Sequence, residues 1–369
     1  MKQLLILLVF LGTLGITVQG ARPNVLIIFT DDQGFYDVSY YNKKDIETPA
    51  IDALAEAGMR FDNFYANCPV CSPSRAALLT GRQQDLVGVQ GVIRDRVINS
   101  WGYWDPESTS IATVMDRNGY QTALVGKWHL GLESPNLPND RGFKYFKGFI
   151  GDMMDDYYHH RRNGHNFMRR NFVEIDPEGH ATDLFSQWAV DYIGEASKKE
   201  DPFFLYLAYN APHSPIQPPE EWVEKVKKRE PGISDLRARF VALTEHMDYG
   251  IGQVVQSLKD NGVYDDTLII FSSDNGGSLR FGSDNGPLRD QKGTVYEGGL
   301  RVPTAIVWEN KIHAGSKTDH IGMTMDIFPT ILDVCGIEWS GPVDGVSFAP
   351  VLSGDSMDVS ERAMVFSRR

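Results

Sequence analysis

Apolar runs the length of a strand alternate along this chain with longer segments of helical period. Asn24-Val25-Leu26-Ile27-Ile28-Phe29 is apolar at every position after the first, the pattern of a strand buried on both faces of a parallel sheet. Gln121-Thr122-Ala123-Leu124-Val125, Phe203-Phe204-Leu205-Tyr206-Leu207-Ala208, Thr267-Leu268-Ile269-Ile270-Phe271 and Pro303-Thr304-Ala305-Ile306-Val307-Trp308 read as further strands. Residues 48–58 have Thr48 as a cap, Pro49 in the first turn, periodic apolar residues and a closing Gly58, which predicts a helix. Residues 108–118, 181–197, 233–260 and 324–334 read as helices too. This alternation predicts an α/β fold, a large and mostly parallel sheet sandwiched by helices. Residues 151–180, rich in Asp, His, Arg, Asn and Gly, form a long excursion of the kind that shapes sites in such folds.

Composition bounds this picture without redrawing it. The chain has 369 residues, 42% hydrophobic and 23% charged, enough for one large domain. Its formal net charge of −13 argues against nucleic acid as a partner, because phosphate binding needs basic surface. A small anion stays open, since a few Lys and Arg in one cleft override the global field. Residues 1–20 place Lys2 before the apolar run Leu4–Phe10 and the small residues Val18 and Gly20 before Ala21. They read as a signal peptide cleaved after about Gly20, which predicts a secreted or periplasmic protein with residues 21–369 as its mature domain. The run is shorter than the ~20 residues of a membrane span, and no later segment is apolar enough, so no stable membrane span is expected. Three Cys allow at most one disulfide.

The polar motifs follow directly on predicted strands, and ligands of α/β sheets bind at the carboxyl ends of strands. Strand 24–29 ends in Thr30-Asp31-Asp32-Gln33-Gly34 and strand 267–271 in Ser272-Ser273-Asp274-Asn275-Gly276-Gly277. Each alone reads as a turn. Together they supply three carboxylates and an amide oxygen, a donor set for Ca²⁺ or Mg²⁺ rather than a soft metal. Strand 121–125 runs into Gly126-Lys127-Trp128-His129, and strand 203–208 into Asn210-Ala211-Pro212-His213; Lys292 follows later. Cys68 and Cys71 form a C-x-x-C pair, which can mean a redox pair, half a zinc site, or nothing. Zinc would need two more ligands, and the remaining Cys, Cys335, is remote in sequence. Pro73 and Ala76-Ala77-Leu78-Leu79 predict a helix that starts near Cys71 and presents its positive end there.

Cys71-Ser72-Pro73-Ser74-Arg75, followed by Leu79-Thr80-Gly81-Arg82, resembles the signature of the type I sulfatases of the alkaline phosphatase superfamily. The segments at 31–32, 127–129, 213, 274–275 and 292–303 occur in that family's order, and the resemblance runs from Arg22 to about Leu352. It implies an alkaline-phosphatase-like fold and a secreted, calcium-dependent sulfuric ester hydrolase. A maturation enzyme would oxidise Cys71 to formylglycine, and one hydroxyl of the aldehyde hydrate would attack sulfur. The second hydroxyl would later lose its proton, expelling sulfate and restoring the aldehyde. By this resemblance Asp31, Asp32, Asp274 and Asn275 hold calcium with the oxidised Cys71 on the open side. Lys127 and Lys292 neutralise the ester, His213 protonates the leaving alkoxide, His129 serves as base, and Arg75 holds the hydrate.

Secretion and the polar stretch 151–170 suit a sulfated carbohydrate as substrate. The competing readings are a phosphodiesterase or phosphonate hydrolase of the same superfamily, and a non-catalytic glycan-binding relic. Two departures stand out. Asp290-Gln291 precede Lys292 where the family often has glycines. The sequence also stops at Phe366-Ser367-Arg368-Arg369, where related sulfatases continue into a small C-terminal subdomain, so most of that subdomain is expected to be missing.

Overall fold

The computed structural model describes residues 22–95, 100–359 and 362–368, so the expected signal peptide lies outside the described residues. Among the described residues twelve strands form, in chain order: β1 Asn24–Thr30, β2 Met59–Tyr65, β3 Gln121–Lys127, β4 Tyr145–Phe149, β5 Arg161–Arg162, β6 His165–Asn166, β7 Met168–Arg170, β8 Val173–Glu174, β9 Phe203–Ala208, β10 Thr267–Ser273, β11 Thr304–Val307 and β12 Ser316–Met323. Ten of them make one sheet in the order β12-β2-β11-β10-β1-β9-β3-β4-β7-β8, and β5 pairs with β6. The centre, β10-β1-β9-β3-β4, is all parallel, as the continuous apolar runs predict. Antiparallel pairs flank it, β10 with β11 and β11 with β2 on one side, β4 with β7 and β7 with β8 on the other.

Nine α-helices among the described residues accompany the sheet: α1 Pro49–Ala57, α2 Cys71–Thr80, α3 Ile111–Arg117, α4 Ala181–Ala196, α5 Glu220–Arg229, α6 Asp235–Asp260, α7 Glu297–Leu300, α8 Ile327–Val334 and α9 Ala349–Leu352. Because strand side chains alternate, the central strands feed two cores. Leu26, Ile28, Leu205 and Ile269 face one layer, where they meet Leu54 of α1, Phe185 of α4 and Met247 of α6. Val25, Ile27, Tyr206 and Ile270 face the other, with Leu79 of α2, Met115 of α3 and Ile331 of α8. Two helices start later than the sequence pattern suggests, and each for the same reason. The Ser110 hydroxyl accepts from the Thr113 N–H and the Ser234 hydroxyl from the Arg237 N–H, so α3 and α6 begin just after these caps.

The sheet's geometry bears directly on the polar loops at its carboxyl edge. Gly126, next to last in β3, has φ +107°, and a Cβ there would overlap the Ala208 carbonyl oxygen of β9. A side chain therefore meets both a disfavoured backbone and a rigid neighbour. Gly126→Ala is expected to cost about 3 kcal/mol of stability, read as a lowered urea midpoint at unchanged slope. No helix among the described residues is long and apolar enough to cross a membrane.

Candidate active site

The ends of β1, β3, β9 and β10, the loop carrying Lys292 and the N-terminus of α2 converge at the carboxyl edge of the parallel strands. Register brings Thr30 at the end of β1 level with Ser273 at the end of β10, so the carboxylates after each strand meet. The Asp32 N–H donates to Asp274 Oδ1 at 3.2 Å, and Asn275 Nδ2 donates to Asp32 Oδ1 at 2.8 Å. Asp32 sits in left-handed backbone at φ 64°, which turns its side chain back over the strand ends; Asp tolerates that region better than most residues. Cys71 is the first residue of α2, and its Sγ lies 3.4 Å from Asp31 Oδ1 and 4.0 Å from Asp32 Oδ1. Single ligand atoms of Asp31, Asp32, Cys71 and His213 all lie within 4.8 Å of one another.

Charge in this cluster balances. Arg75, one turn along α2 and fully buried, donates to Asp274 Oδ2 from Nε at 3.0 Å and Nη2 at 2.8 Å. Its other donor Nη1 reaches the Tyr206 hydroxyl at 3.3 Å. Lys127, at the end of β3 and equally buried, pairs with Asp31. Lys292 lies 2.6 Å from Asp32 Oδ1, 2.7 Å from Asp32 Oδ2 and 3.5 Å from Cys71 Sγ. Burial pushes the Asp31 carboxyl up, but Lys127, His213, Arg75 and Lys292 together hold it well below the usual carboxylate range. At Asp274, burial and then repulsion from Asp31 prevail over Arg75, and the carboxyl rises to about 7. Burial disfavours charge on Lys292 too, yet Asp32 and then Cys71 reverse this and raise its ammonium above the ordinary range.

The two histidines are anchored through different ring nitrogens. His129, also left-handed at φ 62°, places its Nε2 2.8 Å from the Ile93 carbonyl and leaves Nδ1 buried without a partner. A ring that donates from Nε2 carries a free lone pair on Nδ1. Burial, then Lys127 and Arg75, depress its basicity well below that of a free imidazole. His213 instead donates from Nδ1 to the Ser214 carbonyl at 2.6 Å, and its Nε2 stands 3.5 Å from Asp32 Oδ2. Tyr157, inside the excursion 151–180, fixes this loop by donating to the carbonyls of Asn210 and His213 at 3.0 and 2.8 Å.

Above the cluster opens a cavity of about 470 Å³, with Cys71, Asp32, His129, His213 and Lys292 in its lining. A family model for sulfatases matches residues 23–337. The chain belongs to the sulfatase family. Its reaction is the hydrolysis of sulfuric esters. It is 33% identical over 94% of its length to the N-acetylgalactosamine-6-sulfatase of Sus scrofa, of which it spans 69%. To arylsulfatase J of Mus musculus it is 32% identical over 85% of its length, spanning 52% of that protein. Among solved structures, it resembles Ps i-CgsB in complex with k-i-k-neocarrahexaose, with a TM-score of 0.83 and 34% identity over 89% of this chain and 76% of that one.

The structure of this sulfatase brings together every residue singled out in the sequence: Asp31, Asp32, Cys71, Arg75, Lys127, His129, His213, Asp274, Asn275 and Lys292. Cys68, Cys71 and Cys335 are all free thiols, so the C-x-x-C pair is not a disulfide. The Asp284-Asn285-Gly286 segment is a turn, with buried Asn285 accepting from the Gly277 N–H and donating to the Asp290 carbonyl. Sequence reasoning passed over three arginines that also line the cavity, Arg94, Arg280 and Arg368. They come from loops and the last described segment, where no period or motif marks a residue as facing a site.

The donor set can be tested for a cation on its own chemistry. Three buried carboxylates and one amide stand together, and Asn275 Oδ1 is a buried oxygen without a hydrogen-bond partner. Such an orphan costs about 1–3 kcal/mol unless something fills it, and a hard cation does. Three carboxylates already face three basic side chains, so a divalent ion would leave the cluster net positive and suited to an anion.

Proposed function

We propose that this chain is a secreted, calcium-dependent sulfatase that acts on sulfated carbohydrate through a formylglycine made from Cys71. The observation that carries this reading is the setting of Cys71. It opens a helix at the floor of the cavity, with its Sγ 3.5 Å from Lys292 Nζ and beside the carboxylates of Asp31 and Asp32. An oxygen nucleophile at this place would meet both an ammonium and the hard-cation donors. Secretion rests on the pattern of residues 1–20, and the carbohydrate on two relatives, one named for N-acetylgalactosamine 6-sulfate and one bound to a neocarrahexaose.

Asp31, Asp32, Asp274 and Asn275 would hold the calcium ion. When bound, it supplies Lewis-acid stabilisation of negative charge on the sulfuryl oxygens. Lys292 orients the ester from the open side, while Lys127 and Arg75 stay buried and keep the carboxylates in place. His213 faces the cavity with Nε2, the nitrogen able to carry a proton to a leaving alkoxide; burial lowers the basicity of the ring, and Asp32 beside it offsets part of that. His129 offers the lone pair on Nδ1 for removing a proton near Cys71. A maturation enzyme would be the required partner.

The test is the mass of the proteolytic peptide carrying Cys71, in protein purified from its natural source. An aldehyde is expected there. An unmodified thiol in that material would overturn the formylglycine reading and favour a non-catalytic glycan binder.

A further inference from the structure

The cavity holds more positive charge than one ester needs. Arg94 is committed to Asp152 at 3.4 Å, and Asp152 also accepts from Arg162 at 2.9 Å. Arg280 and Arg368 have no carboxylate partner among the described residues. Arg280 lies over the Phe281 ring, 4.5 Å from its centroid, and Arg368 donates to the Gly293 carbonyl. Lys292 is itself engaged by Asp32, so these two guanidiniums are capacity beyond the ester-binding group.

Both arginines are fastened to the segment that carries Lys292. The Leu279 N–H donates to Gln291 Oε1 at 2.8 Å, and the Lys292 N–H to the Gly277 carbonyl at 3.0 Å, which ties the Arg280 turn to Lys292. The Arg368 bond to Gly293 ties the last described segment to the next residue along. That segment is anchored well before it reaches the cavity. Arg362 pairs with the buried Asp326, and the Ser367 hydroxyl donates to Asp85 at 2.7 Å. Three cations on three segments therefore join at 291–293 and open into one cavity. Arginine forks bind sulfate and carboxylate oxygens two at a time. In a chain of net charge −13, two such forks without acidic partners form a local reversal of the field.

We propose that Arg280 and Arg368 form a second anion subsite, which binds a sulfate or carboxylate of the substrate other than the ester being cleaved. The proposal rests on the reading of this chain as a sulfatase of sulfated carbohydrate. It makes the preferred substrate a saccharide with at least two anionic groups.

Binding and turnover test the two ideas separately. The full chain with Cys71→Ala, which removes chemistry, is titrated calorimetrically with three disaccharides. One is a neocarrabiose monosulfate, one a neocarrabiose disulfate, and one a chondroitin 6-sulfate disaccharide with a single sulfate and a single carboxylate. At least one two-anion probe is expected to bind about tenfold more tightly than the monosulfate, and which one gains identifies the second group. Adding Arg280→Ala or Arg368→Ala should remove about tenfold of that affinity and leave monosulfate binding within about twofold. Equal affinity for one and two anions, or equal losses on every probe, would overturn the subsite. Turnover of 4-nitrophenyl sulfate by the matured wild-type chain tests the underlying reading. Its absence would sink the sulfatase mechanism, while charge-dependent binding to the Cys71→Ala protein would still support the subsite.

Discussion

Cys71→Ala should reduce sulfate-ester turnover by at least about a thousandfold, to the residual level that binding and electrostatics alone sustain. The side chain touches Asp31, Asp32 and Lys292, the groups that the proposed nucleophile would need beside it. On the proposed mechanism His129 and His213 handle protons, and Lys292 is a partly buried ammonium whose charge Asp32 maintains. The fold should survive. Cys71 loses a single heavy atom at a polar cavity floor, a change of about 1 kcal/mol, and the remaining nine residues of α2 stay packed. Initial-rate assays with 4-nitrophenyl sulfate, paired with a thermal melt, check both halves. Activity within tenfold of wild type in a folded variant would remove Cys71 from the chemistry.

Lys292→Ala is the second large effect. Among the described residues, its ammonium contacts both Cys71 and the Asp32 carboxylate while keeping about a fifth of its side chain exposed to the cavity. Removing a charge aimed at a developing oxyanion typically lowers the rate by about 10²- to 10³-fold. The expected signature is a fall of that size in kcat/KM for every sulfate ester, together with weaker inhibition by inorganic sulfate. A purely structural lysine would give a different pattern, a lowered melting temperature with kcat/KM preserved in the folded fraction. That second pattern would exclude Lys292 from ester binding.

The parallel centre of the sheet was legible because strands β1, β9 and β10 are apolar on both faces. The flanks were not. Strand β2 reads Met-Arg-Phe-Asp-Asn-Phe-Tyr and buries only alternate positions for part of its length, and β12 is polar at most positions because it closes the sheet's edge. Helix α5 buries only Val223 and Val226, too little apolar surface to stand out among its charges. Within the site the division is similar. Residues at strand ends could be placed because the strand before each one could be read. Arg280 and Arg368 could not, since Gln291 and the Gly293 carbonyl position them from far along the chain. The left-handed backbones of Asp32 and His129 carry no sequence mark either, since neither residue is glycine.

All ten residues of α2 are buried, and Cys71 is only 3% exposed. On the formylglycine reading, this burial sets a schedule. An enzyme that oxidises Cys71 must grip the chain on both sides of it, which the finished domain does not allow. The partners that close over the helix come much later in the polypeptide: Asp274 lies 199 residues beyond Arg75, and Lys292 lies 221 beyond Cys71. During synthesis the thiol is therefore reachable only until those residues arrive. Maturation becomes a race between an oxidase and folding, and a variant that folds faster could be more stable yet less active.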